Sequence, residues 1–556
     1  MKKLFIAAAA VLAAAFVYAA ATLPPRPLPS TGGVHQDVVR RTIAGAYHVH
    51  SDVSDGSGSR DEVAAAAARA GLQFVIFTDH GDGMRAPEPP RYAHGVLCLD
   101  AVEISTDGGH YIALDMRRAE YPLGGQASAV VEDVRRLGGF GIAAHPYSGK
   151  RELAWTDWNA PIDGLEWLNA DSEWRDESGW QLASLPLYYL ARPGPTLASI
   201  LDRPEAAVSR WDDLAARRPL VALAAHDAHG GIGGDEASLR IPALPSYESS
   251  FRAFAMRAIV ATSLTGSPID DGRLVIDAFR RGRVFAAIDA LAAPAYLQFT
   301  ASLGSHDAEM GDSLPFQGDI ELVARATMPP GGAIVLTCGG NEVAQAAGGE
   351  LRYTPTSATA CRPEVRVPGA PGTPPIPWIA GNAIHLLRPL FEPIGTEPLF
   401  EIVQQVNQSP WVVEKDPQSQ GSLTAIDTGW TLQYRLKEGS RTSQYVAAVS
   451  TLEPPNREFD RILFTAESHA PMRVSVQLRF NDGQRWLRSF YVETDRRRVI
   501  VPIDELVAAE TAPAKPDFRQ ATSLLFVVDL TNALPGSQGW VTISDVSFAR
   551  SLGVVK

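Results

Sequence analysis

The sequence predicts an α/β domain of barrel type followed by two all-β domains. Three observations carry this reading. Residues 41–295 alternate short β-branched or apolar runs with helical stretches, the texture changes near 296 to short strands parted by Gly, Pro and Asn, and a second all-β section follows from about 395. A chain of 556 residues is also too long for one core.

The N-terminal stretch comes first. Lys2 and Lys3 precede an apolar run of 18 residues, Leu4–Ala21, in which Ala19 and Ala21 offer a small-x-small cleavage site. Residues 1–21 read as a secretory signal, or as an uncleaved N-terminal anchor, because the run just reaches spanning length. Either reading places the folded part outside the cytoplasm, periplasmic or secreted, with membrane contact only through that segment if it stays uncleaved. Residues 22–40 hold Pro24, Pro25, Pro27 and Pro29 and read as a linker. The net charge of −13, with no run of Lys or Arg that would track a phosphate backbone, disfavours nucleic acid as an electrostatic partner.

Within 41–295 the clearest helix is "SRDEVAAAAARAG", with Ser59 as N-cap, Glu62 completing a capping box and Gly71 as the stop. "QFVIFTDH" follows as a buried strand, and strand–helix–strand in so short a span is a βαβ signal. "GVLCLDAVEIS", "HYIALDM", "GFGIAAHP", "DGLEWLN" and "LVALAAHDAH" continue the alternation.

Residues 296–394 read as a small β-sandwich, closed by "RPEVRVPGAPGTPPIPW", which is too Pro-rich for regular structure. Residues 395–556 form the second β-domain, where "MRVSVQLRF" alternates with Val474, Val476, Leu478 and Phe480 on one face. Of three cysteines, Cys98 reads as a buried apolar residue. Cys338 and Cys361 flank 22 turn-rich residues and suit a disulfide in an exported chain, with nothing in the sequence setting their separation.

Chemistry concentrates in the α/β section. Nine of the 12 histidines lie between His35 and His229. His48 and His50 end the first strand; in a regular strand residues i and i+2 share a face and present two imidazoles together. Asp79 and His80 end the second strand, Glu103 the third, His145 the fifth, and Asp227 and His229 the last. His110 opens the strand after the "STDGG" turn that follows Glu103, and a hairpin there returns it to the same mouth. In an α/β barrel such ends converge on one mouth. So many imidazoles and carboxylates in one cavity repel and desolvate one another unless a metal compensates them, and zinc, manganese or iron suits both ligand types.

"HVHSDVSDG", "FTDHGDG", "VEIS", "GHYIALDM", "AAHPYS" and "HDAHGG" together resemble the ordered motifs of the PHP (polymerase and histidinol phosphatase) superfamily of metallohydrolases. "LTGSPIDDGRLVIDAFRRGRVFAAI" and "PWIAGNAIHLL" are similar to exported members of the CehA/McbA type. The resemblance implies a distorted (β/α)7 barrel and the metal ligands His48, His50, Asp55, His80, Glu103, His110, His145, Asp227 and His229. Glu103, Asp227 and His229 are then the catalytic members, with Glu103 bridging two of two to three divalent ions (Zn, Mn or Fe). Asp55 stands where some relatives have a nearby histidine, and His226 where the family more often has a small residue.

The implied activity is a metal-dependent hydrolase acting on a small, anionic substrate, a phosphoester first, through a metal-bridging hydroxide. A carbamate, amide or carboxylic ester is the alternative on the same cluster. Lys150, Arg151 and Tyr147 are candidate substrate contacts, the two cations otherwise reading as solvated loop residues. Asp79 reads either as a carboxylate that orients a histidine from behind or as a strand-end cap. Glu166 and Asn169 reach the same mouth. The tail resembles a galactose-binding jelly roll. Trp430, Trp486 and Tyr491 are there core aromatics or sugar-stacking platforms, and a non-catalytic protein contacting glycan or cell surface through this domain is the third reading.

Overall fold

In a computed structural model of the chain, residues 18, 21–173, 175, 185–231, 245–304, 306–317, 320–388, 399–406, 410–510 and 514–552 are described. The signal or anchor segment lies almost wholly outside them. No helix among the described residues is long and apolar enough to cross a membrane. The chain divides into two units. One comprises Met1–Gly81, Pro87–Arg117 and Val134–Leu390, and the other Asp82–Ala86, Arg118–Asp133 and Phe391–Lys556.

The first unit opens its core with β1 (Thr42–Val49), α1 (Arg60–Ala70), β2 (Phe74–Phe77) and β3 (Val96–Asp100). Helix α1 has the expected ends. Ser59 accepts from the Glu62 backbone N–H, Glu62 answers in a full capping box, and Gly71 closes the helix at φ 83°. Such a cap contributes about 0.5–2 kcal/mol. Val63, Ala64 and Ala67 face inward against Val75, Phe77 and Cys98.

Next come β4 (Val102–Thr106), β5 (Gly109–Leu114), β6 (Phe140–Ala143), β7 (Gly164–Asn169), α2 (Glu205–Ala215) and β8 (Val221–Ala225). The unit continues with β9 (Ala255–Ile259), β10 (Val284–Ala287), β11 (Ala333–Cys338), β12 (Ala360–Arg366) and β13 (Ile379–Gly381).

The expected (β/α)7 barrel is not formed. The ladders make an open five-stranded sheet, β8-β7-β6-β5-β4, and a separate 12-stranded sheet containing β12-β13-β10-β9-β1-β2-β3. Two features prevent closure. The β4–β5 and β5–β6 pairs are antiparallel, as is β9 against β1, so the parallel βα repeat is interrupted. Between the two sheets the described strands also form no continuous ladder, the β-pairing being reduced to the single bridges of Val49 with Ala228 and His80 with Glu103, together with hydrogen bonds such as that from the His226 N–H to the Tyr47 carbonyl. Beside them, His48, His145 and Asp227 have φ of 61°, 27° and 46°, which removes them from extended geometry.

Three local expectations are corrected as well. "GVLCLDAVEIS" is two strands, because the chain leaves the larger sheet after Asp100 and enters the smaller one at Val102. The boundary at 295/296 falls inside one unit, since β13 pairs with β10 and carries the larger sheet on into β12. The strands Leu297–Leu303, His306–Glu309, Glu321–Ala326 and Glu350–Tyr353 do make a separate four-stranded sheet. The Pro-rich segment begins as strand: Pro363 lies within β12, between residues paired to Ile384–Leu387 and residues paired to β13, and faces neither. Cys338 and Cys361 sit directly opposite on β11 and β12, Cα atoms 4.1 Å apart, and form a disulfide.

The second unit contains two antiparallel six-stranded sheets. One is built around Gln538–Ser551, which pairs with Gly429–Arg435 and Arg461–Ser468. The other centres on Ser523–Asp529, between Tyr445–Thr451 and Met472–Arg479. Their inward residues, among them Trp430, Leu432, Phe464, Val474, Val476, Phe526 and Phe548, form one core.

Candidate metal centre

Glu103, on β4, is the centre of the site, and its two oxygens face different partners. Oε1 lies 2.8 Å from His110 Nδ1 and 2.9 Å from His145 Nε2. Oε2 lies 3.3 Å from His48 Nε2, 3.2 Å from His50 Nε2 and 3.3 Å from His80 Nδ1. The hairpin β4–β5 brings His110 to Glu103 by pairing it with Ser105. Five imidazoles therefore surround one carboxylate.

Asp227 closes the inner side: its Oδ1 is 3.3 Å from His48 Nε2 and 3.4 Å from His50 Nε2. On the outer side Asp55 lies 3.4 Å from His50 Nδ1, 3.5 Å from His80 Nε2 and 3.3 Å from His229 Nε2. All nine sequence-selected ligands thus share one locus. Four groups have donor atoms close enough for one ion: His50, Asp55, His80 and His229; His48, Glu103 and His145; His48, His50 and Asp227; His80, Glu103 and His110.

The chemistry and spacing of these donors fit a metal. Ligand atoms at ordinary zinc distances, about 2.0–2.2 Å from the ion, stand about 2.8–3.6 Å from each other. The side chains of His48, His50 and Glu103 are 0–1% exposed, whereas those of His80 and Asp55 are 35% and 40% exposed. The cluster is closed behind and open on the Asp55–His80–His229 side.

Charge is organised to match. Burial alone would raise the Glu103 carboxyl, yet the charge of His48 and hydrogen bonds from His110 and His145 hold it well below the usual carboxylate range. Burial would likewise lower His50, but Asp227 and Glu103 push it up to about 9. The cluster favours cations at its centre, which is the condition a divalent ion meets.

The strand alternation expected at His48 and His50 does not hold. A register shift between Ala46 and Val49 and the positive φ of His48 break it. The two Nε2 atoms still lie 3.1 Å apart, because the bulge turns His48 back toward His50.

Other sequence-selected residues have definite places. Asp79 does not touch a histidine. It accepts from Ser51 N–H at 2.7 Å, Ser54 Oγ at 2.9 Å and Arg60 Nη2 at 2.7 Å, so it braces the loop that carries His50 and Asp55. His226 is buried with its ring stacked on Phe254 at 4.2 Å and Nε2–H donating to the Phe254 carbonyl at 2.9 Å. Burial pushes it down to about 4, and it stands outside the cluster as a neutral core histidine.

Lys150 and Arg151 are exposed and pair with no described residue. Tyr147 is 42% exposed, with its ring stacked on Trp158 at 5.8 Å. Arg210, on α2, lies over Trp158 at 4.8 Å and reaches Tyr147 Oη at 3.4 Å. Sequence reasoning missed Arg210 and Trp158, because both are distant in sequence from every motif. In the second unit Trp430 and Trp486 are core, and Tyr491 lies under Arg497 at 4.7 Å.

No family model matches the chain, and no curated protein does. Among solved structures it is similar to the family 11 carbohydrate-binding module of the cellulosomal cellulase Lic26A-Cel5E of Clostridium thermocellum. That match has 12% identity over 28% of this chain and 95% of that one, with a TM-score of 0.23. It is also similar to the module TmCBM61, solved with β-1,4-galactotriose, at 13% identity over 26% and 91% of the two chains, TM-score 0.17. An exo-β-agarase gives 10% identity over 27% and 25%, TM-score 0.19. At such scores these likenesses carry no argument.

Proposed function

We propose that the first unit is a metal-dependent hydrolase of an exported protein, with a phosphoester as its leading substrate. The observation that carries this reading is Glu103, whose two oxygens face two separate sets of imidazoles in the manner of a carboxylate shared between ions. The motif resemblance to PHP metallohydrolases supports the same reading, and the Cys338–Cys361 disulfide supports an oxidising compartment. When bound, two to three divalent ions supply Lewis-acid activation of water and offset charge on the group being cleaved. Glu103 and Asp227 hold negative charge between the histidines, His48, His50 and His145 wall off the inner side, and the Asp55–His80–His229 side admits substrate. Carbamate or ester hydrolysis uses the same residues.

The test is metal content of the protein without residues 1–21, with rates on p-nitrophenyl phosphate, bis-p-nitrophenyl phosphate and an aryl carbamate. Two to three ions with phosphoester turnover support the main reading. Turnover of the carbamate alone favours the alternative, and no ion after reconstitution removes both.

A second reading, glycan contact through the C-terminal unit, takes its support from Trp540, which is 37% exposed with His469 at 6.4 Å. Retardation in a gel containing soluble β-glucan, lost in Trp540→Ala, tests it.

A further inference from the structure

We infer that Glu166, acting with Asn169, is a positioning residue that sets the tautomer of His48 and holds His48, His145 and Asp227 in their ligand poses. The inference rests on the metal reading above and assigns work to two residues outside the ligand set.

Glu166 and Asn169 lie three apart on β7 and would face opposite sides of a regular strand. A register shift against β8, where Leu223 pairs with Glu166 and Ala224 with Leu168, brings both to the cluster. The Glu166 side chain is 0% exposed. Its Oε1 lies 2.6 Å from His48 Nδ1, and its Oε2 accepts from the His145 backbone N–H at 2.7 Å and from Asn169 Nδ2 at 2.9 Å. The same Asn169 nitrogen donates to Asp227 Oδ2 at 3.2 Å. The Ser172 N–H donates to Asn169 Oδ1 at 3.0 Å, which settles which end of the amide is nitrogen.

A carboxylate can only accept, so His48 must carry its proton on Nδ1. Nε2, 3.3 Å from both Glu103 and Asp227, is then the nitrogen left for an ion to take. The three residues reached by this pair are also the three at the site with positive φ, a conformation that persists only where surrounding contacts hold it. Glu166 therefore bears on the two ion groups that contain His48. The outer group of His50, Asp55, His80 and His229 does not include His48 or His145.

The experiment compares wild type, Glu166→Gln, His48→Ala and the double variant, using Zn2+ and a chromophoric chelator in competition. The imidazole 15N spectrum of the metal-free protein is read in parallel. Glu166→Gln is expected to keep its fold by circular dichroism, to bind fewer ions or to bind the inner ones about 10–100-fold more weakly, and to move the His48 proton off Nδ1. In the His48→Ala background the same change should cost less than in wild type, only the part exerted through His145 and Asp227 remaining, whereas a merely structural role would add in full. Unchanged ion number, affinity and tautomer in Glu166→Gln overturn the inference, as does full additivity. A wild type that takes up no ion overturns the metal reading and this inference with it, and the wild-type titration separates that case from the others.

Discussion

Asp79 takes the Ser51 side chain on both carboxylate oxygens, Oγ lying 2.8 Å from one and 3.0 Å from the other, while the Ser51 backbone N–H donates to it at 2.7 Å. This fixes the first residue after His50. Asp79→Asn replaces acceptors with a donor facing Ser51 and Arg60. The expected cost is about 1–3 kcal/mol in urea unfolding, with weaker metal uptake at the group containing His50 and Asp55.

Removing the ions should act on the first unit alone. Chelation is expected to lower its unfolding transition, by about 4 kcal/mol relative to protein held at a thousandfold excess of metal over Kd. The transition of the C-terminal unit should stay in place. Glu103→Ala should lose at least one ion per chain by elemental analysis, with a rate loss at or above the roughly 100-fold that follows loss of a ligand's supporting partner. Full metal content and full rate would remove Glu103 from its role.

Glu364 supplies a pH dependence away from the cluster. Burial pushes its carboxyl up, but Arg362, Arg203 and Arg366 outweigh this and bring it from 4.5 to about 2. Arg362 lies 2.6 Å away and is itself held by Asp212 at 2.7 Å. Because the folded value is depressed, the stabilisation is complete above the unfolded value and is lost as pH falls from about 4.5 toward 2. Its size is on the order of 3 kcal/mol. The stability advantage of wild type over Glu364→Gln in urea unfolding should shrink across that window; an advantage constant with pH would refute the assignment.

Arg210, rather than Lys150 or Arg151, is the cation held in place on Tyr147, two residues after His145, because Trp158 and Tyr147 fix it. Arg210→Ala should raise KM for p-nitrophenyl phosphate about tenfold, the loss of one charged hydrogen bond, and leave that for a neutral ester unchanged. Lys150→Ala and Arg151→Ala should change KM less than twofold. Equal effects on the charged and neutral substrates would exclude an anion contact.

Much of this was legible locally. The Ser59–Glu62 capping box and the Gly71 stop are short-range devices, and helix α1 follows them to the residue. The return of His110 to the same mouth as Glu103 was readable from the turn between them, because a hairpin there folds the second strand back on the first. The closed barrel was not realised, and the break at Ala101, which sends one apolar run into two different sheets, leaves no mark in apolar periodicity. Asp79 reads from sequence as either a support for a histidine or a strand-end cap, because adjacency to His80 hides the direction of its side chain. Arg60, its true partner, lies 19 residues earlier.

The sequence by itself determined which residues are chemically able to hold ions, since side-chain type sets ligand chemistry and the motifs carry those types in order. Only the tertiary structure decided how they are held. A bulge in β7 turns Glu166 and Asn169 to one side, and positive φ angles turn His48, His145 and Asp227 inward. Each of these depends on contacts between segments tens to hundreds of residues apart, which no local pattern encodes.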